Sequence, residues 1–211
     1  WGVRYKTSDN PAIHREEIEE ARASMDPLFF QQEFEADFVS FTGAVYANML
    51  ESQILKSDEQ IRQLIPEWPS IDPGRMAHAS VDPGTDHPFG AVLIVITDKG
   101  LVVVADYLER MKAHSAAHDD IWRKLGLFRW SEKSFFANKN ALNLRLEWGL
   151  KGTGVAPVES RQEIGIQRVQ SWLLSNKLKF AYTAPRTIEQ MEAYHYNENY
   201  NPNSGEKRHK E

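Results

Sequence analysis

The clearest alternation of apolar and polar positions begins at Met76. Met76-Ala77-His78-Ala79-Ser80-Val81 runs with a period of two, ends at Asp82 and is followed at once by Pro83-Gly84. Such alternation marks a half-buried strand, and Asp-Pro-Gly supplies the turn chemistry that stops it. Two more strand-like runs follow, Phe89 to Ile96 and Leu101 to Ala105, the last ending near Tyr107. From there helix and strand patterns alternate. Helices are predicted over about Ser115 to Leu125, Ala141 to Leu150, Ser160 to Asn176 and Thr187 to Tyr194. Short strands separate them at Ser134 to Ala137, Gly154 to Pro157 and Lys179 to Tyr182. Ser160 with Glu163 reads as a capping box for the third helix. Three antiparallel strands followed by alternating helices and strands predict a three-layer α/β sandwich, a mixed central β-sheet flanked by helices.

Before Met76 the pattern is different. Asp9-Asn10-Pro11 is a helix start, with a capping residue and then Pro at the first helical position. Glu16, Glu17, Glu19 and Glu20 load the opening turns, where the helix dipole favours negative charge. Ile13, Ile18, Ala21 and Met25 give that helix one narrow apolar stripe. A second helix-like run covers Pro27 to Phe38, with Phe29, Phe30, Phe34 and Phe38 on its apolar face. Ile61 to Ile65 reads as a short helix, and Pro66, Pro69 and Pro73 as a stiff link into the first strand. The end, Asn197 to Glu211, is rich in Asn, Pro and Gly and is expected to be mobile. The expected organisation is a helical arm at 1–72, an α/β core at 73–196 and a tail at 197–211.

The 211 residues, 41% of them hydrophobic, suffice for one domain with a real core. The absence of cysteine excludes disulfides and thiolate metal sites. No apolar run approaches the ~20 residues of a membrane span. Trp1-Gly2-Val3-Arg4-Tyr5 has no signal-peptide character and reads as a start inside a longer chain. The net charge of −5 is unevenly spread: residues 1–122 carry 10 Lys and Arg against 21 Asp and Glu, whereas 123–186 carry 12 against 4. The basic stretch is either a phosphate-facing surface or a set of solvated helix faces. Asp86 and His87 sit in the loop just past Asp82, where Asp86 either assists through water or shapes the turn before Pro88. His114 and His118 stand at i, i+4, a spacing able to hold zinc, but no third and fourth ligands accompany them.

Four segments in order resemble the large terminase subunits of tailed phages. Thr7-Ser8-Asp9-Asn10-Pro11, the acidic helix, Phe30 to Phe38 and Gly43-Ala44-Val45-Tyr46 look like the segment joining motor and nuclease. Asp82-Pro83-Gly84 resembles the first catalytic strand of the nuclease domain. Glu163-Ile164-Gly165-Ile166-Gln167-Arg168-Val169 is similar to its Gly-Ile-x-x-Val helix, and Ile188 to Tyr194 to its Glu-x-Tyr helix. The resemblance covers essentially the whole chain and implies a ribonuclease H-like endonuclease that cuts concatemeric double-stranded DNA in the infected host's cytoplasm. It implies two Mg²⁺ or Mn²⁺ ions held by carboxylates, one activating water and one stabilising the leaving oxygen. The partners implied are duplex DNA, an ATPase motor domain of the same polypeptide, the small terminase subunit and the portal protein. No Walker-type phosphate loop occurs in the chain, so ATP hydrolysis is not assigned to it.

Within that resemblance Asp82 takes the first metal-ligand position and Asp86 an auxiliary one. The second acid follows the fourth strand, and here that position is Asn138, whose amide keeps an oxygen but lacks the charge. An introduced Asp→Asn replacement, a natural departure and a misplaced alignment all account for it, and Asp106, ending the third strand, is the nearest spare acid. The family's third carboxylate lies in a His-x-x-Asp-Ala-Leu-type motif, to which His209 would be only the approach. Lys133, Lys139 and Arg145 lie near Asn138 in sequence, and Lys151, Arg161 and Arg168 follow. These six are the candidate phosphate contacts, of the kind that position duplex without reading its sequence. The alternative from another class is a non-catalytic DNA clamp, or a module docking onto the portal or motor. A recombinase or resolvase of the same fold is the third reading.

Overall fold

The structure is a computed structural model that describes residues 6–7, 10–25, 30, 34–35, 44–69, 77–84, 87–110, 112–125, 135–159, 161–196 and 209–210. Most of the predicted helix at Pro27 to Phe38 lies outside these, as do Ser160, Asp86 and Lys133. The chain divides into two compact units, Glu51–Arg161 with Lys177–Glu189, and Trp1–Leu50 with Gln162–Asn176 and Gln190–Glu211.

The first unit is built on a seven-stranded mixed sheet. In chain order its strands are β1 (Ile54–Leu55), β2 (Ala77–Asp82), β3 (Phe89–Thr97), β4 (Gly100–Glu109), β5 (Phe135–Asn138), β6 (Val155–Val158) and β7 (Leu178–Ala181). Across the sheet they lie β1-β7-β4-β3-β2-β5-β6. Only β3 runs against its neighbours; the pairs β2–β5, β5–β6, β4–β7 and β1–β7 are parallel. The ends of β2, β4 and β5 therefore share one edge, the carboxyl edge at which open α/β sheets hold ligands. Helix α1 (Arg15–Ser24) belongs to the other unit; α2 (Asp58–Arg62), α3 (His114–Leu125) and α4 (Leu142–Leu150) belong to this one.

The period of two seen in the sequence is the burial pattern of the strands. Ala79 and Val81, Phe89, Ala91, Leu93 and Val95, and Phe135 and Ala137 are buried in one cluster with Ala117 and Ile121 of α3 and Leu144 and Trp148 of α4. Trp148 is the largest fully buried side chain among the described residues. Its ring lies 5.6 Å from Phe135 and 6.3 Å from Phe89, centroid to centroid. Burying each such side chain contributes roughly 1.5–3 kcal/mol. Residues 51–69 fold with the sheet: Leu55, Ile61, Ile65 and Trp68 are part of the same cluster. Asp58 ties them together, accepting hydrogen bonds from Trp68 Nε1 at 2.8 Å and Tyr182 Oη at 3.0 Å.

The β3–β4 hairpin turns tightly at Gly100. Its φ of +131° belongs to glycine, and a side chain there would collide with the Lys177 carbonyl. That carbonyl accepts the Leu101 N–H at 2.7 Å, which ties the hairpin to the segment entering β7.

The second unit contains α1, α5 (Gln162–Leu174) and a ribbon of β8 (His195–Tyr196) with β9 (His209–Lys210). Its centre is Val45 and Ile166, packed against Met25, Tyr46 and Tyr194. Buried Gln170 donates to the Val45 carbonyl at 2.7 Å, and Val45 N–H donates to the Tyr194 carbonyl at 2.8 Å. Helix α6 (Pro185–Ala193) completes the chain order. No described helix is long and apolar enough to cross a membrane.

Candidate active site

Asp82 is the last residue of β2 and Asn138 the last of β5. The two strands are adjacent and parallel, with Val81 opposite Ala137, so the register carries Asp82 and Asn138 to neighbouring strand ends. Both residues line a cleft of about 400 Å³, with Pro83, His114, Asn140, Asn143 and the first turn of α4. Two segments far apart in sequence thus meet at the carboxyl edge of the sheet.

Local sequence explains why Asp82 is left open. Its cross-strand partner in β3 is Gly90, which has no side chain to cover it. The following turn is closed by a Gly84 N–H bond to the Asp82 carbonyl at 3.0 Å. Gly84 is required there, because a Cβ would run into the His87 and Pro88 carbonyls. Asp82 is exposed, and its carboxylate meets no hydrogen-bond or ion-pair partner among the described residues.

Asn138 opens the turn into α4. Its Oδ1 accepts the Asn140 N–H at 2.9 Å, and its carbonyl accepts the Ala141 N–H at 2.9 Å. This is an Asx turn, a geometry that Asp forms equally well, so a carboxylate at 138 would fit the same backbone. Helix α4 then begins without a side-chain cap and with no acid in its first turn. The helix dipole gives this end of the cleft a partial positive character.

The oxygen-rich donors suit a hard dication. Asp82 and the Asn138 amide could offer such an ion two oxygen donors, and no group of three or more His, Cys, Asp or Glu able to hold a metal forms among the described residues. Asp106 is engaged elsewhere: its Oδ2 accepts the Thr187 N–H at 2.7 Å, capping the first turn of α6 from β4.

The two histidines of the i, i+4 pair face different tasks. His114 lines the cleft, and its Nδ1 lies 3.3 Å from Glu147 Oε1. His118 is buried, with Nδ1 3.0 Å from Asp119 Oδ1 and Nε2 2.9 Å from Thr153 Oγ1. It fastens α3 to the loop before β6. Sequence reasoning gave His114 no place beside Asp82 and passed over Glu147, Asn140 and Asn143. The repeated Asn at 138, 140 and 143 was the available signal.

Lys139 pairs with Glu159 at 3.1 Å. Half-buried Arg145 donates to the Lys139 carbonyl at 3.4 Å, bracing the turn after β5. Lys151 binds Asp119 at 2.6 Å and the Ser115 carbonyl at 2.9 Å, and this lysine holds the Asp119 carboxyl below the usual range, with His118 second. Arg161, in the sheet unit, and Arg168, on α5 in the other unit, are exposed and form no ion pair among the described residues.

The fold is a seven-stranded mixed α/β sheet with a carboxylate and an amide at two adjacent strand ends. Among solved structures it is shared with large terminases. The large terminase of a thermophilic bacteriophage, in complex with ATP-gamma-S, superposes with a TM-score of 0.71 at 15% identity, over 92% of this chain and 48% of that one. The P22 large terminase nuclease domain matches with a TM-score of 0.56 at 13% identity, over 76% and 84%. The nuclease domain of the bacteriophage SPP1 large terminase, solved with bound Mn, matches with a TM-score of 0.50 at 10% identity, over 78% and 88%. The chain spans about half the length of the thermophilic phage's protein. Neither a family model nor a curated protein sequence matches it.

Proposed function

We propose that this chain is the metal-dependent endonuclease domain of a viral DNA-packaging terminase, acting on concatemeric duplex DNA in the infected host's cytoplasm. The observation that carries the reading is the meeting of Asp82 and Asn138 at adjacent parallel strand ends, in a fold shared with terminase nuclease domains. Asp82 would hold a divalent ion, Mg²⁺ or Mn²⁺, with residue 138 beside it and Asp86 in an auxiliary place. The ion supplies an activated water and a countercharge for the leaving oxygen when bound. The chain's own groups do the rest. The exposed Asp82 carboxylate draws the cation, and the turn at Asn138 fixes the second donor. The uncapped start of α4 offers amide dipoles to a backbone phosphate. The Mn bound in the SPP1 domain supports a divalent ion, and two per site remains the proposal.

The length of the thermophilic phage's large terminase supports an ATPase motor domain in the same polypeptide, and the packaging role brings the small terminase subunit and portal as further partners. The neutral amide at 138 favours a second reading, a DNA clamp that holds duplex without cutting it. Plasmid cleavage with Mn²⁺ decides between them. The chain as written should be nearly inactive, and Asn138→Asp should restore nicking. Asp82→Ala added to Asn138→Asp should abolish it again, because ligands of one site act as a unit. Equal cutting by all three proteins would place the site elsewhere.

A further inference from the structure

We propose that His114 is a further metal ligand of this cleft, its imidazole presented by the Glu147 carboxylate, so that the chain as written holds one dication through Asp82, Asn138 and His114. The inference rests on the reading of Asp82 as a cation-binding carboxylate. It adds a nitrogen donor to an otherwise all-oxygen site.

The imidazole is a built feature of the cleft. His114 is the first residue of α3, and its backbone carbonyl accepts the Trp148 Nε1–H at 2.9 Å. Its ring packs 6.2 Å from Phe89, centroid to centroid, and its side chain is 15% exposed. Carboxylates only accept, so the 3.3 Å contact to Glu147 makes Nδ1 the donor and leaves the lone pair of a neutral ring on Nε2. Nε2 has no protein partner among the described residues and is not one of the buried unsatisfied atoms. The residue lines the same cleft as Asp82 and Asn138.

A histidine with one ring nitrogen tied to a carboxylate and the other open is the arrangement by which proteins orient a metal-binding imidazole. It also adds a donor, without adding charge, beside the neutral amide of Asn138. One carboxylate and one amide bind Mg²⁺ poorly, but an added imidazole suits the borderline ions. The chain as written should therefore prefer Co²⁺ to Mg²⁺.

The test is Co²⁺ binding to the whole chain, followed by visible absorbance and by imidazole NMR, with no DNA and no turnover. One equivalent of Co²⁺ should bind, and in the unaltered protein it should shift or broaden the His114 ring signals while leaving exposed His195 unaffected. His114→Ala and Asp82→Ala should each weaken binding by about tenfold or more, and Glu147→Gln by roughly 10- to 100-fold if the carboxylate orients the ring. Loss in Asp82→Ala with no change in His114→Ala, and His114 signals untouched by Co²⁺, would overturn this inference and leave the Asp82 reading standing. No change in Asp82→Ala would overturn both. Because the NMR readout uses the unaltered chain, a variant that fails to fold does not decide the outcome.

Discussion

Asp82 and Asn138 differ by one functional group in a shared setting. Asp82 is exposed without a partner among the described residues, and the turn at Asn138 accepts Asp without rearrangement. A different residue links the core to solution pH. Tyr107 is buried and donates to Asp120 Oδ2 at 3.2 Å. Burial, and then the Asp120 charge, raise its hydroxyl from the ordinary 10 to about 12. A group raised in the folded state stabilises the fold below its unfolded value and loses that contribution as pH climbs through the folded one. Denaturant unfolding from about pH 8 to 11 should therefore show the wild type losing stability above pH 10 more steeply than Tyr107→Phe. Parallel curves for the two proteins would refute this. Asp120, held by Lys112 first and Tyr107 in turn, has its carboxyl below the usual range.

Among the elements, α4 joins the core to the cleft. Its Trp148 fills the centre of the aromatic cluster and hydrogen-bonds the His114 carbonyl. Trp148→Ala should cost about 3–5 kcal/mol of stability, measurable as a lower denaturant midpoint. Trp148→Phe should cost less while loosening His114. Gly100→Ala should be destabilising as well, since both its φ and the Lys177 carbonyl oppose a side chain; an unchanged melting temperature would argue against that turn. The elements legible in the sequence were those with strong periodicity. Strands β2 and β3 were found almost to the residue, because alternation and turn residues coincide there. Strand β4 runs on to Glu109, past the apolar run that announced it. Strands β1, β8 and β9 have two residues each, too short to show a period, and a three-residue turn precedes β1. Asp82 was readable because a turn fixed its strand end. His114 and Glu147 were not, since only the packing of α3 against α4 brings them together.

The basic stretch 123–186 is divided between the two units, and its described charges are not equally available. Lys139 and Lys151 are neutralised by Glu159 and Asp119, and Arg145 braces a carbonyl. Exposed ion pairs of this kind are weak, so a polyanion can still compete for the lysines. Arg161 has no such competitor among the described residues. Duplex binding should be sequence-indifferent and steeply salt-dependent. Each lost phosphate contact should lower the slope of log affinity against log salt by about 0.9. Arg161→Ala should produce that change without altering the fold, whereas Lys139→Ala with Arg145→Ala should also disturb the turn at 138. An unchanged slope for Arg161→Ala would place the DNA surface elsewhere.

The Asp82–Asn138 strand ends are the proposed cutting site of a packaging nuclease. Mn²⁺-dependent plasmid nicking by the chain as written, by Asn138→Asp and by Asp82→Ala in the Asn138→Asp background tests this. Cutting only by Asn138→Asp is the predicted result. Cutting that survives the loss of Asp82, or that is equal with Asn and Asp at 138, would contradict it.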